Sequence, residues 1–280
     1  MTDATGTPTL PSPASGGAES IAPSRGKLAL WRAGERVLSF AVLMLLLEGG
    51  IRYFDVQPYV FPAPSAIAVA LWNGVTSGTY LHALAITLSE VLAGFAIGSV
   101  CGILLGIAMV QVPVLDRIVY PYVVGLQTVP KVAIAPLMIV WFGFGIESKV
   151  FIVALTCLFP SLVNTIAGLR AVDSDRIALI LSMCGSRGQL LRYVQLPNAL
   201  PYIMAGLNTG IVLAVIGAIV GEFVGAKTGI GVLILQANFG LDLASVFALL
   251  VLIALAGVIL SFVLRRIEAR LCFWSGKASK

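Results

Sequence analysis

The chain has 280 residues, 59% of them hydrophobic and 11% charged, where a soluble domain runs near ~45–50% and ~25%. That balance excludes a water-dispersed globule. With four Cys and 14 Pro it also excludes a disulfide scaffold, collagen and a disordered chain. The net charge of +5 requires no nucleic acid partner, because the cytoplasmic loops of membrane proteins collect Lys and Arg.

Residues 2–24 are almost all Thr, Ser, Pro, Ala and Gly, a composition that cannot bury a core and reads as a disordered tail. The first apolar run starts near Val37, after Arg25, Lys27, Arg32 and Arg36. Glu48 and Arg52 follow it where a secretory signal has a small-residue cleavage site, so it is expected to be an uncleaved first span. At roughly 20 apolar residues per crossing, the predicted spans are 37–54, 81–110, 118–146, 150–169, 199–221 and 243–264. The first is the weakest. The expected organisation is a cytoplasmic tail over 1–30, a transmembrane domain over 31–272 and a cytoplasmic tail over 273–280. With both termini inside, Arg52, Lys149 and Lys227 fall at outer ends and Lys131 within a span, which leaves 14 of the 18 Lys and Arg inside. The longest outer connection, 55–80, holds Pro58, Pro62 and Pro64 and has no room for a substrate-capturing domain. The longest inner connection is 170–198.

In the second span, Gly94, Gly98, Gly102 and Gly106 recur every four residues and make a smooth helix face. Gly206 and Gly210 start a second ridge in the fifth span, continued by Gly217 and Gly221. Such faces let backbones approach closely, within one bundle or at a subunit interface. The third span carries Pro113, Pro121, Pro130 and Pro136. Carbonyls freed by proline at membrane depth are tolerated where protein or a water-filled cavity satisfies them. Pro130, Pro136, Lys131 and Glu90 are therefore candidates for a translocation pathway. Lys131 has three readings: facing that pathway, pairing with Glu90, or snorkelling to an interface.

No catalytic constellation is present. His82 is the one histidine, and Cys101, Cys157, Cys184 and Cys272 form no CxxC, so neither a metal set nor a nucleophile is expected. The stretch 221–228 (GEFVGAKT) is not a phosphate loop, since Ala226 stands where Gly must precede the Lys. An enzyme is not expected. Uphill transport needs ATP hydrolysed by another chain, or an ion gradient.

In the inner connection, Asp173 or Ser174 is the expected N-cap of a helix over 175–183. Gly185 breaks that helix, and a second short helix over 187–194 is expected to end before Leu196 and Pro197. Helix, turn and helix with apolar side chains fit a docking surface for a cytoplasmic partner, or an amphipathic loop lying on headgroups.

Three stretches resemble the permease subunits of bacterial ABC importers of the nitrate/sulfonate/taurine group, over roughly residues 37–272. They are 129–145 (VPKVAIAPLMIVWFGFG) followed by Ser148 and Lys149; Phe159–Pro160 with 164–173 (NTIAGLRAVD); and 185–192 (GSRGQLLR) with 196–201 (LPNALP). The resemblance implies an all-α membrane protein of six transmembrane helices with the MetI-like permease fold, N-in and C-in, in the bacterial inner membrane. It implies an EAA-type coupling loop carried here by Ala178, Cys184, Gly185, Ser186, Arg187, Val194, Leu196 and Pro197. Aligned from Leu196 and Pro197, the motif's Glu falls on Ala178, its Ala pair on Leu179 and Ile180, its Gly on Cys184 and its Ile on Val194. The Glu and Gly are thus lost, and Gly185 is expected to supply the turn one residue late. The implied partners are a second copy of the permease, two ATPase subunits that bind ATP and Mg, an external solute-binding protein and the bilayer. No cofactor is expected on this chain. Family solutes are nitrate, alkanesulfonates, taurine or pyrimidine-type vitamin precursors, moved by alternating access. The competing class, a stand-alone secondary transporter or channel, needs intramembrane ionisable groups, for which only Glu90 and Lys131 offer themselves.

Overall fold

The computed structural model describes residues 25–274. Residues 1–24 of the expected N-terminal tail and 275–280 of the C-terminal one lie outside the described residues. Among those described, every regular element is helical. The chain divides after Gly49 into two units. Helix α1 (Arg25–Tyr53) begins at Arg25, inside the tail expected over 1–30. In the first unit, the Ser39 hydroxyl donates to the Glu35 carbonyl at 2.7 Å.

The second unit holds α2 (Pro64–Thr76), α3 (Thr79–Gln111), α4 (Pro113–Thr128), α5 (Lys131–Phe142), α6 (Ile146–Arg170), α7 (Ser174–Ser182), α8 (Arg187–Leu190), α9 (Leu196–Gly225), α10 (Ile230–Phe239) and α11 (Leu243–Leu271). Its centre is α6, packed between α3 and α9. The glycine ridges explain this. A Cβ on Gly98 would strike the Ala154 carbonyl, one on Gly102 the Leu158 carbonyl, and one on Gly106 Thr165 at 3.0 Å. On the other side, a Cβ on Gly206 would stand 2.8 Å from the Pro160 carbonyl. The Cys157 thiol donates to the Gly210 carbonyl at 3.3 Å. Both ridges are thus used within the chain, against one shared helix. Close packing of this kind supplies the dispersion energy that lipid, as apolar as Leu, leaves as the drive for helix association. Val91, Val153, Cys157, Ile211, Ala214 and Ala218 fill the α3–α6–α9 core.

The expected single span over 118–146 is broken instead. Helices α4 and α5 meet at a 99° bend. Pro130 lacks an N–H and pushes Val129 into extended backbone, φ −69 and ψ 125. Among the described residues, four helices are long and apolar enough to cross a membrane, five if the bent pair is one span, and α1 is not among them. The short helix α10 lies between α9 and α11. With Tyr80 and Ala83 of α3 and the first turns of α11, its Ile230 and Ile234 form an apolar cluster against which α2 packs. This cluster sits at the end of the bundle opposite α7 and α8.

Candidate translocation pathway and coupling loop

The inner connection folds as a helix–turn–helix. Asp173 is the N-cap of α7, its carboxylate accepting from the Asp175 N–H at 3.0 Å. The turn residue is Cys184, at φ 57, the position where the EAA motif has Gly. Gly185 is needed for a different reason: a Cβ there would stand 2.6 Å from Ile180 Cγ2 and 2.8 Å from its carbonyl oxygen. Ser186 and Gln189 form a reciprocal capping box on α8, with the Ser186 N–H donating to Gln189 Oε1 at 2.7 Å. The second helix does not end before Pro197, as its sequence suggests. It runs unbroken from Arg187 to Gly225, because a π turn at Leu191–Gln195 lets the donor missing from Pro197 fall at a change of hydrogen-bond register.

Val194 and Pro197 line a groove of about 390 Å³ together with Leu179, Ile180, Tyr193 and Trp274. Ala178, Ser186 and Arg187 are exposed and Leu196 is half-buried. Leu179, Leu181 and Met183 expose apolar side chains beside them. The loop is anchored to the bundle: Asn198 donates to the Gly168 carbonyl at 3.2 Å, Gln111 to Gln195 at 2.9 Å, and Arg170 pairs with Asp116 at 2.7 Å.

Lys131 opens α5 directly after the break. Its Nζ lies 5.3 Å from the centre of the Phe159 ring, within cation–π range, and 3.5 Å from the Gln127 carbonyl. It lines a cavity of about 330 Å³ with Gln127, Thr156, Asn164 and Thr209, halfway along α6 and α9. One ammonium, two amides, two hydroxyls and an aromatic face meet there, and no carboxylate of the described residues lines it. Pro130 caps α5 beside this cavity. Pro136 is exposed further along α5 and does not line it.

Glu90 does not reach Lys131. It is 1% exposed, and its Oε1 lies 3.7 Å from Lys149 Nζ. The Lys149 ammonium also donates to the Phe144 carbonyl at 3.3 Å. Glu222, equally buried, follows Gly221, where a Cβ would stand 3.3 Å from Lys149 Cγ. It accepts from Thr87 Oγ1 at 2.6 Å and from the Gly231 N–H. The distribution of Lys and Arg puts Lys149 at an outer end, and Glu222 falls in the 221–228 stretch that is not a phosphate loop. A signal was present. Glu222 continues the four-residue spacing of buried Ala214 and Ala218, and Lys149 that of buried Val153 and Cys157.

Residues 98–272 match the family described as "Binding-protein-dependent transport system inner membrane component". The chain is 34% identical, over 87% of its length and 91% of the relative's, to a riboflavin transport system permease protein of Chloroflexus aurantiacus. It is 34% identical, over 88% and 98%, to a formylaminopyrimidine transport permease protein of Halalkalibacterium halodurans. It is 30% identical, over 79% and 82%, to a taurine transport system permease protein of Escherichia coli. An inward-facing MetNI methionine ABC transporter structure superposes with a TM-score of 0.57 at 22% identity, covering 69% of this chain and 94% of that one, a likeness of fold. The chain is a multi-pass membrane protein and not an enzyme, and it belongs to the binding-protein-dependent inner membrane components, as an ABC importer permease subunit of the nitrate/sulfonate/taurine type whose ATPase is a separate chain.

Proposed function

We propose that two copies of this chain form the membrane gate of an importer driven by two ATPase subunits and fed by an external solute-binding protein. Each copy has six spans, α1 included, within a transmembrane domain over 31–272, with both termini and the 170–198 loop in the cytoplasm. The loop, through Leu179, Leu181, Met183 and the groove at Val194 and Pro197, is the surface seated on an ATPase subunit. The Lys131 cavity is the solute's station inside the bundle. Its ammonium, amides and hydroxyls suit a small acceptor-rich solute such as a sulfonate, taurine or a pyrimidine-type precursor, the last two being named for relatives of this chain. A volume of about 330 Å³ is at the small end for ligand sites, ~300–1,000 Å³.

The observation that supports this reading best is the anchored helix–turn–helix with exposed apolar residues at the end of the bundle opposite α10. An unsupported amphipathic loop has no need of three side-chain anchors to the bundle. The test is reconstitution in liposomes. ATP hydrolysis stimulated by the loaded binding protein, with solute uptake that requires the ATPase, is the expected result. Uptake by this chain alone overturns the reading in favour of a stand-alone transporter.

A further inference from the structure

Helix α10 is attached to the bundle in two ways. One is apolar, through Ile230 and Ile234. The other is polar and fully buried: Glu222 accepts from the Gly231 N–H, and Thr87 Oγ1, 2.6 Å from Glu222 Oε1, accepts from the Ile230 N–H at 2.9 Å. The first backbone donors of α10, which no helical carbonyl can satisfy, are therefore held by side chains of α3 and α9. Both connections to α10 are turns with left-handed residues, Gly229 at φ 128 and Leu241 at φ 56. Gly229 is required there twice over, since a Cβ would also collide with the Glu222 carboxyl.

Resting on the importer reading above, we propose that Thr87 and Glu222 are positioning residues of the transport cycle, forming a releasable latch that holds α10 at the outer end of the bundle. Glu90 and Lys149 set its strength. In this cluster Glu90 pairs with the Lys149 ammonium, Thr87 one turn before Glu90 on α3 holds Glu222, and Glu90 Oε2 has no donor among the described residues. Breaking the bonds to α10 frees backbone donors at a cost, but moving Glu222 away relieves the burial of two carboxyls, Glu90 and Glu222, in one low-dielectric core. These opposing terms leave the closed position poised rather than locked. The connections on either side of α10 turn without a regular helix, so the element moves as a unit on two hinges.

The latch is joined to the cavity. The Phe144 carbonyl that receives Lys149 lies just past α5, and α5 begins at Lys131. Its 12 residues span about 18 Å between the solute's station and the Lys149 contact. A shift of α5 when solute arrives changes what Lys149 offers Glu90, and hence how firmly Glu222 stays on α10. Both ends bias one two-state element, which is the physical requirement for coupling.

The test uses the complete transporter in nanodiscs and measures ATP hydrolysis with and without loaded binding protein. Thr87→Val removes the hydroxyl at constant shape, weakens the latch, and populates the outward state unaided. Hydrolysis without binding protein is expected to rise at least threefold. Thr87→Ser restores the wild-type value. Glu90→Gln removes the second carboxyl from this core, so the latch tightens, and unstimulated hydrolysis falls at least threefold with slower uptake. Opposite signs from two neighbours are not what general damage produces. Changes of the same sign, or no change in either variant, overturn the latch. Where Thr87→Val fails to assemble, Glu90→Gln decides alone: a fall supports the latch and an unchanged value overturns it. A wild type that does not respond to loaded binding protein overturns the importer reading and the latch with it. A responsive wild type with insensitive variants overturns the latch only.

Discussion

At the scale of single residues, Cys184 and Lys131 carry the sharpest consequences. Cys184 holds a left-handed backbone conformation, φ 57, that costs an L-residue roughly 1–2 kcal/mol and costs Gly nothing in steric terms. Cys184→Gly is expected to keep or strengthen binding of the ATPase subunit. Cys184→Val, β-branched at positive φ, is expected to weaken it by about tenfold, read as the affinity of the purified ATPase for the permease in nanodiscs. Among the described residues, Lys131 is the one cation lining the cavity. Lys131→Met keeps the length of the side chain and removes the charge. Uptake per ATP hydrolysed is expected to fall about tenfold, or ~1.4 kcal/mol, with Lys131→Arg retaining most of it. Equal uptake by the wild type and the Met variant would remove Lys131 from the pathway.

At the scale of elements, the bundle depends on α6 lying against two glycine faces. Gly98→Val drives a branched side chain into the backbone of α6 at Ala154. It is expected to lower the midpoint of thermal unfolding in detergent sharply, as overpacking against backbone that cannot yield costs ~1–3 kcal/mol or more. Gly257→Ala on α11 serves as the comparison, since its Cβ meets nothing nearer than Val215 Cγ2 at 3.9 Å. Its midpoint is expected to stay within error of the wild type. The coupling element fails differently. Gly185→Val strikes Ile180 across the turn and re-aims α7 without touching a span. Leu196→Asp puts a charge where α9 leaves its π turn. Both are expected to insert normally yet uncouple hydrolysis from uptake, and unchanged stimulation of the partner ATPase in both would count against the docking role.

At the scale of the whole molecule, the orientation proposed from Lys and Arg has a native reporter. Cys184 is an exposed thiol on the coupling loop. A membrane-impermeant maleimide is expected to label it in inside-out vesicles and not in intact spheroplasts, with Cys184→Ser defining the background. Labelling from outside reverses the topology and removes the loop from the ATPase.

Much of this architecture was legible in the chain itself. Hydrocarbon forces backbone donors and acceptors to pair within a segment, so long apolar runs are helices wherever they occur. The helices α3, α6, α9 and α11 follow from that alone. Local chemistry likewise narrowed the N-cap of α7 to Asp173 or Ser174, of which the fold uses Asp173, and set the helix start after Ser186, where short side chains satisfy the backbone groups beside them. The stretches around Lys131, Asn164 and Gly185 were enough to point to the family. Other features depended on contacts between distant residues. Thr87 and Glu222 are 135 positions apart, and Glu90 chose Lys149 over Lys131 because α6 presents Val153 and Lys149 to the same face of α3. The 99° break at Pro130 and the unbroken passage through Pro197 show that proline removes a donor but does not decide what replaces it. Apolar content measures transfer into lipid and is a sum over one segment. The rotation of a helix, and hence the partner of a buried charge, is settled only by the helices packed around it.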